Sequence, residues 1–199
     1  MVPGLARSAV LAALLLGGCE TVEDTVSDTV GSITNVFDEP VLLPCPEYFI
    51  PADSANLVAF KPGPGRDLID VDHSGKIGNL RTGCQYRINK KTNAGSVDLE
   101  IGVLFAVERG PANRSRRATY PYFIAITDDE KKVLYREQLK LPVDFSGNQN
   151  RRVVTGERVV LEVPLKSGQD GRHFRIYAGF LLNRQQLDYN RKLRRSRLR

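Results

Sequence analysis

The sequence predicts an all-β protein, an antiparallel β-sandwich, on three observations. Apolar and polar side chains alternate at period two in several separate stretches. Clusters of Gly, Asn, Asp, Ser and Pro punctuate the stretches. No helical periodicity lies between consecutive stretches, so the crossovers that a parallel sheet requires are missing. A small closed barrel is the rival architecture. Of the 199 residues, 40–183 have the size of one domain.

Taken in chain order, "DLIDV" (67–71) reads as a strand, His73-Ser74-Gly75 as a polar turn, and the residues towards "TGCQYRI" as a second strand. Val97, Leu99, Ile101, Val103, Phe105 and Val107 then alternate without a break against Asp98, Glu100, Gly102 and Glu108. "YPYFIAI" (120–126) is apolar on both faces, which suits an inner strand. Val133, Tyr135, Leu139 and Leu141 give a weaker alternation, as do Val159, Leu161, Val163 and Leu165. Phe174, Ile176, Ala178, Phe180 and Leu182 close the series. The turns are "KTNAG", "RGPANRS", "TDDEK", "FSGNQN" and "SGQDG". Asn183 followed by Gln186 has the spacing of a capping box and predicts a basic C-terminal helix within the tail 184–199. Six of the last nine residues, Arg191, Lys192, Arg194, Arg195, Arg197 and Arg199, are basic, which equals the net charge of +6 of the whole chain.

The first eighteen residues have the order of an export signal. Arg7 is the basic element, and "SAVLAALLLGG" is an apolar run shorter than the roughly 20 residues of a membrane span. The run ends in Leu16-Gly17-Gly18-Cys19, which resembles the lipobox of bacterial lipoproteins. The resemblance implies a signal peptide over 1–18, cleavage before Cys19, and a diacylglyceryl group and acyl chain such as palmitate on that cysteine. One acyl chain holds a protein to a membrane only marginally, at about 0.8 kcal/mol per buried CH₂, whereas several anchor it stably. Glu20, where inner-membrane lipoproteins of this kind carry Asp, implies the periplasmic face of the outer membrane. The body resembles lipid-anchored sandwich domains of bacterial envelopes, of immunoglobulin or fibronectin-III type in strand number and turn spacing.

Export is consistent with the cysteines. With Cys19 assigned to lipid, Cys45 and Cys84 remain, and two leftover cysteines in an exported chain form a disulfide, with a buried thiol pair as the alternative. Between anchor and body, residues 19–39 form an acidic tether with six carboxylates and no base from Glu20 to Glu39. Val22, Val26, Val30, Ile33 and Phe37 fall on one helical stripe, yet the Val and Thr content and Gly31 favour an extended spacer equally.

"DVDHSGKIGNLR" (70–81) imitates a calcium loop at Asp70, Asp72, Ser74 and Gly75, but Arg81 stands where a bidentate acid is required and Pro62-Gly63-Pro64-Gly65 exclude an incoming helix. "KPGPGRD" lacks the Lys-Ser or Lys-Thr pair of a phosphate loop. The two histidines, His73 and His173, share no motif, and Asp98 with Glu100 reads as the wet face of a sheet. Neither an enzyme nor a cofactor or metal site is therefore expected. The loop "RGPANRSRR", with Arg109, Arg114, Arg116 and Arg117, and the tail invite an anionic partner. The compartment offers envelope proteins and anionic lipid, not nucleic acid. The expectation is a lipid-anchored, non-catalytic interaction or envelope-assembly module. A ligand-binding module for an ion or glycan is the alternative, and a hydrolase comes third.

Overall fold

The computed structural model describes residues 43–197. Cys19, the rest of segments 1–18 and 19–39, and Arg199 lie outside them. Nine strands are described: β1 (Glu47–Phe49), β2 (Asn56–Phe60), β3 (Val71–Ile88), β4 (Gly95–Arg109), β5 (Arg117–Asp128), β6 (Val133–Asp144), β7 (Arg151–Thr155), β8 (Val159–Leu165) and β9 (Phe174–Phe180). One α-helix follows, α1 (Arg184–Arg197). The strands form two packed sheets. One runs β1-β9-β5-β6; the other runs β2-β3-β4, with β7 and β8 pairing to successive halves of the far edge of β4. The protein is a β-sandwich.

The period-two pattern does what it predicts. Every second residue of β4 from Val97 to Val107 is buried, as are Tyr120, Tyr122, Ile124 and Ile126 of β5 and Phe174, Ile176, Ala178 and Phe180 of β9. "YPYFIAI" lies on an inner strand, between β6 and β9. The two inner faces interlock through aromatic rings: Phe105 meets Tyr122 edge-on at 4.9 Å and Phe180 at 5.6 Å. Each such ring contributes about 1.5–3 kcal/mol by burial, with a smaller gain from its edge-to-face geometry.

Two expectations fail. The strand-turn-strand reading of 67–81 is replaced by a single 3-10 turn, Leu68–Asp70, and one strand of 18 residues, β3. Ser74 and Gly75 are turn residues by type, but both ladders around them are filled: Ser74 pairs with Val58 and Glu108, and Gly75 with Leu57 and Val107. Full backbone pairing outweighs a weak local preference. Gly75 is also where the Tyr120 and Phe180 rings press closest, 3.1 Å from where a Cβ would stand. Secondly, pairing is not wholly antiparallel, because β1 runs parallel to β9, with Glu47 opposite Arg175 and Phe49 opposite Tyr177. β1 reaches β9 from the opposite end of the sequence, so no hairpin fixes its direction.

The arm 43–49 is tied down at several points. Cys45 and Cys84 form the disulfide, with Cα atoms 5.7 Å apart. The Tyr86 hydroxyl donates to the Pro44 carbonyl at 2.5 Å and accepts from the Gly171 N–H at 2.7 Å, and burial pushes its pKa up. Tyr48 donates to the Asn79 side chain. β2 pairs with β3 only as far as Lys76. Beyond it, the arm runs alongside the otherwise unpaired edge of β3 through these side-chain links.

Candidate functional site

A groove of about 770 Å³ lies on the outer face of the β2-β3-β4-β7 sheet, walled on one side by α1. Its floor follows from register. Val58, Ser74, Glu108 and Arg151 form one row across the four strands, and Asn56, Lys76, Ala106 and Val153 form the next. Small side chains at Ser74 and Ala106 keep the centre low, while Arg151 and Val153 raise the β7 side.

The helix wall is placed by its first two turns. The Asn183 side chain accepts from the Gln186 N–H at 2.9 Å, and the Gln186 side chain accepts from the Asn183 N–H at 3.0 Å, which completes the predicted capping box. Tyr189 meets Phe60 of β2 edge-on at 5.3 Å. Asn190 is buried and its amide donates to the Asp53 and Asn56 carbonyls at 3.0 and 2.7 Å. Those bonds close off part of the β2 edge, which would otherwise offer unpaired backbone groups. Past Asn190 the helix is exposed, and Leu193 and Arg194 face the groove.

The groove is basic. Arg151 pairs with Glu108 at 3.1 Å. Arg152, the residue between Arg151 and Val153, turns to the other face of β7 and donates to the Asp144 carbonyl of β6 at 2.7 Å. Lys76 is exposed and has no ion pair among the described residues. Arg194 lies 3.0 Å from Asp53 Oδ1 without the alignment of a hydrogen bond, and Arg191 Nε donates to Asp53 Oδ2 at 3.2 Å. Exposed Val153 and Leu193 add apolar surface on either side.

The predicted tail residues thus divide. Arg191 and Arg194 hold the helix to Asp53, whereas Lys192 and Arg195 are exposed and unpaired among the described residues. Arg197 falls in the last turn of the helix. The calcium-like stretch is dispersed: Asp70 pairs with Lys61 at 2.8 Å, while Asp72 accepts from Asn113 at 3.1 Å and lies 2.6 Å from His73 Nδ1. His173 stands in a separate cluster with Asp170 and Arg172. Asp98 is matched with Arg87, and Glu100 with Arg158 at 3.2 Å. Among the described residues no three His, Cys, Asp or Glu side chains are grouped to hold a metal. No helix among them is long and apolar enough to cross a membrane.

Sequence reasoning missed Lys76, Arg151 and Val153. The five residues "RRVVT" of β7 do not alternate in type, so period two gave no signal there. No protein-family model matches the chain, nor does any curated protein sequence. Among solved structures, the variable (V) domain of the AgI/II polypeptide BspA of Streptococcus agalactiae is similar over 67% of this chain and 76% of that one. The identity is 14% and the TM-score 0.21, a superposition too loose to bear on what this chain does.

Proposed function

We propose that this chain is a lipid-anchored protein of the cell envelope. It is held by Cys19 at the periplasmic face of the outer membrane and acts there as a non-catalytic module that holds an acidic envelope protein in its groove. The supporting observation is the groove itself, a preformed, shallow surface in which Lys76, Arg151 and Arg194 outnumber Glu108, with Val153 and Leu193 beside them. Such a mixture gives an acidic partner charge complementarity for orientation and apolar area for residence.

The test is cross-linking in intact cells followed by affinity purification and mass spectrometry. A discrete stoichiometric partner is expected, lost when Lys76→Glu and Arg151→Glu reverse the charge of the groove. Recovery of the protein alone, or of the same adducts with that charge reversed, overturns the reading. Cys19→Ser is expected to abolish palmitate incorporation and release the protein from the membrane fraction. Retention of label would remove the anchor from the proposal.

A further inference from the structure

The turn that leads into β3 carries two large aliphatic side chains with almost nothing on them. Leu68 is 81% exposed and Ile69 71%, more than any other large apolar residue described. In a slack loop such residues would fold back onto the body. Here the turn is braced from below by one carboxylate. Asp70 is buried; its Oδ2 accepts from the Asp67 N–H at 3.1 Å and its Oδ1 lies 2.8 Å from Lys61 Nζ. Its backbone N–H donates to Asp67 and its carbonyl accepts from Lys61, at 3.0 and 2.9 Å. Gly65 packs directly on that carboxylate, where a Cβ would come within 2.3 Å of Oδ2. Arg66 completes the brace, donating to the Gly63 carbonyl at 2.8 Å with its guanidinium 5.3 Å over the Phe60 ring. The result is a fixed, convex, aliphatic knob.

Beside the knob runs the arginine loop. The N–H groups of Gly110 and Ala112 donate to the Asp72 and Val71 carbonyls at 2.8 and 2.9 Å, which ties the loop to the residues immediately after the turn. Residues 109–117 hold four arginines and no acid. Their charge is left standing by their partners. Arg109 donates to the Asn150 side chain at 2.7 Å and Arg116 to the Phe145 carbonyl at 3.0 Å, both neutral acceptors. Arg114 has no partner among the described residues, and only Arg117 faces a carboxylate, Asp144, at 3.4 Å. The loop is also held in shape: Asn113 is buried, donates to Asp72 and to the Arg117 carbonyl, and accepts from the Arg116 N–H at 2.8 Å, which fixes Arg116 at φ 59°.

We propose that this end of the sandwich is a docking site for an anionic phospholipid surface. Leu68 and Ile69 enter the boundary between head groups and acyl chains, and Arg109, Arg114 and Arg116 meet the phosphates. An aliphatic tip flanked by cations is the combination that binds bilayer interfaces, through buried apolar area together with attraction to anionic lipid. A convex pair of side chains is too small to centre a specific protein interface, which buries about 800 Å² on each partner. The proposal concerns a surface distinct from the groove and does not require Cys19 to be lipidated.

The chain has no tryptophan, so Ile69→Trp installs a single reporter at an exposed position, with Leu68→Trp as the second variant should the first misfold. The full chain is mixed with vesicles of phosphatidylcholine and phosphatidylglycerol, or of phosphatidylcholine alone. In the mixed vesicles the indole emission is expected to shift to the blue and to be quenched by bromine on the acyl chains. About tenfold less quenching is expected at raised salt or with Arg114→Glu and Arg116→Glu. The reporter reads position 69 alone, so lipid or leader elsewhere in the chain does not produce the signal. Arg151→Glu in the groove leaves it unchanged, which separates this proposal from the partner reading. Emission that stays at its aqueous wavelength in both vesicles overturns the proposal and points to a protein pocket for the knob. Equal quenching in both vesicles, indifferent to the arginines, overturns it as well.

Discussion

At its Ile88 end β3 is bound by a covalent bond, and at its Val71 end it is steadied by one buried carboxylate. Near the first, Cys45–Cys84, Tyr86 and the parallel β1–β9 pairing draw the N-terminal arm against the body. At the second, Asp70 and Lys61 hold a turn whose aliphatic residues face outward. Each end has its own depressed carboxyl. Arg172, by its hydrogen bond, holds Asp170 at about 2, and Lys61 in the same way holds Asp70 below the usual range. The contrast teaches that one strand serves two purposes along its length. One end conceals and fastens; the other keeps a shape while remaining open.

The largest expected effect lies at the fastened end. Replacing Cys45 and Cys84 by serine removes a closed loop of about 40 residues and is expected to lower stability by about 4 kcal/mol in denaturant titrations. Hydrogen exchange should then quicken in β1 and leave the 61–70 turn untouched. Quickening of both together would break the division. Acid separates the ends next. Both carboxyls are depressed on folding, so each contributes its stability in full above the unfolded value near about 3.9 and loses it as pH falls through the folded value. For Asp170 that window runs from about 4 down to about 2. Thermal melts of Asp170→Asn are expected to show a flatter acid limb than the parent. A smaller and more local change is expected of Asp70→Asn, namely faster proteolysis within 61–70 with little movement of the global melting temperature. A large global loss would mean that the knob is part of the core after all. The smallest effect comes from between the ends. Tyr122 is fully buried, its hydroxyl has no well-aligned hydrogen-bond partner, and burial pushes its pKa up to about 12. Tyr122→Phe is therefore expected to change stability by no more than about 1 kcal/mol, in the stabilising direction.

How far the sequence could be read depends on how local the cause was. The long strands β4, β5 and β9 were legible because burial of one face imposes period two directly on residue type. The disulfide followed from the expectation of export and from arithmetic, and the helix start from two residues three apart. The groove was not legible. It arises where four strands and a helix meet in register, so Lys76 and Arg151 come to line one surface only through pairings far apart in sequence. The tail was read as basic, correctly, but Asp53 was not foreseen as the acid that engages Arg191 and Arg194, because nothing local links residues so distant. The knob was hidden for a different reason. "DLIDV" resembles a strand in composition, and only the buried Asp70 turns Leu68 and Ile69 outward.

The route of the arm has a mechanical consequence. Tension applied to the chain ahead of Leu43 meets the sulfur–sulfur bond at Cys45 before it meets the hydrogen bonds of β1. The load passes into β3 at Cys84, four residues from the Ile88 end of a ladder with β4 that runs from His73 opposite Arg109 to Ile88 opposite Gly95. A pull along that strand must shear its remaining bonds together instead of opening them one at a time. A molecule hung by its N-terminal segment would therefore keep its shape while its short first strand carried none of the strain.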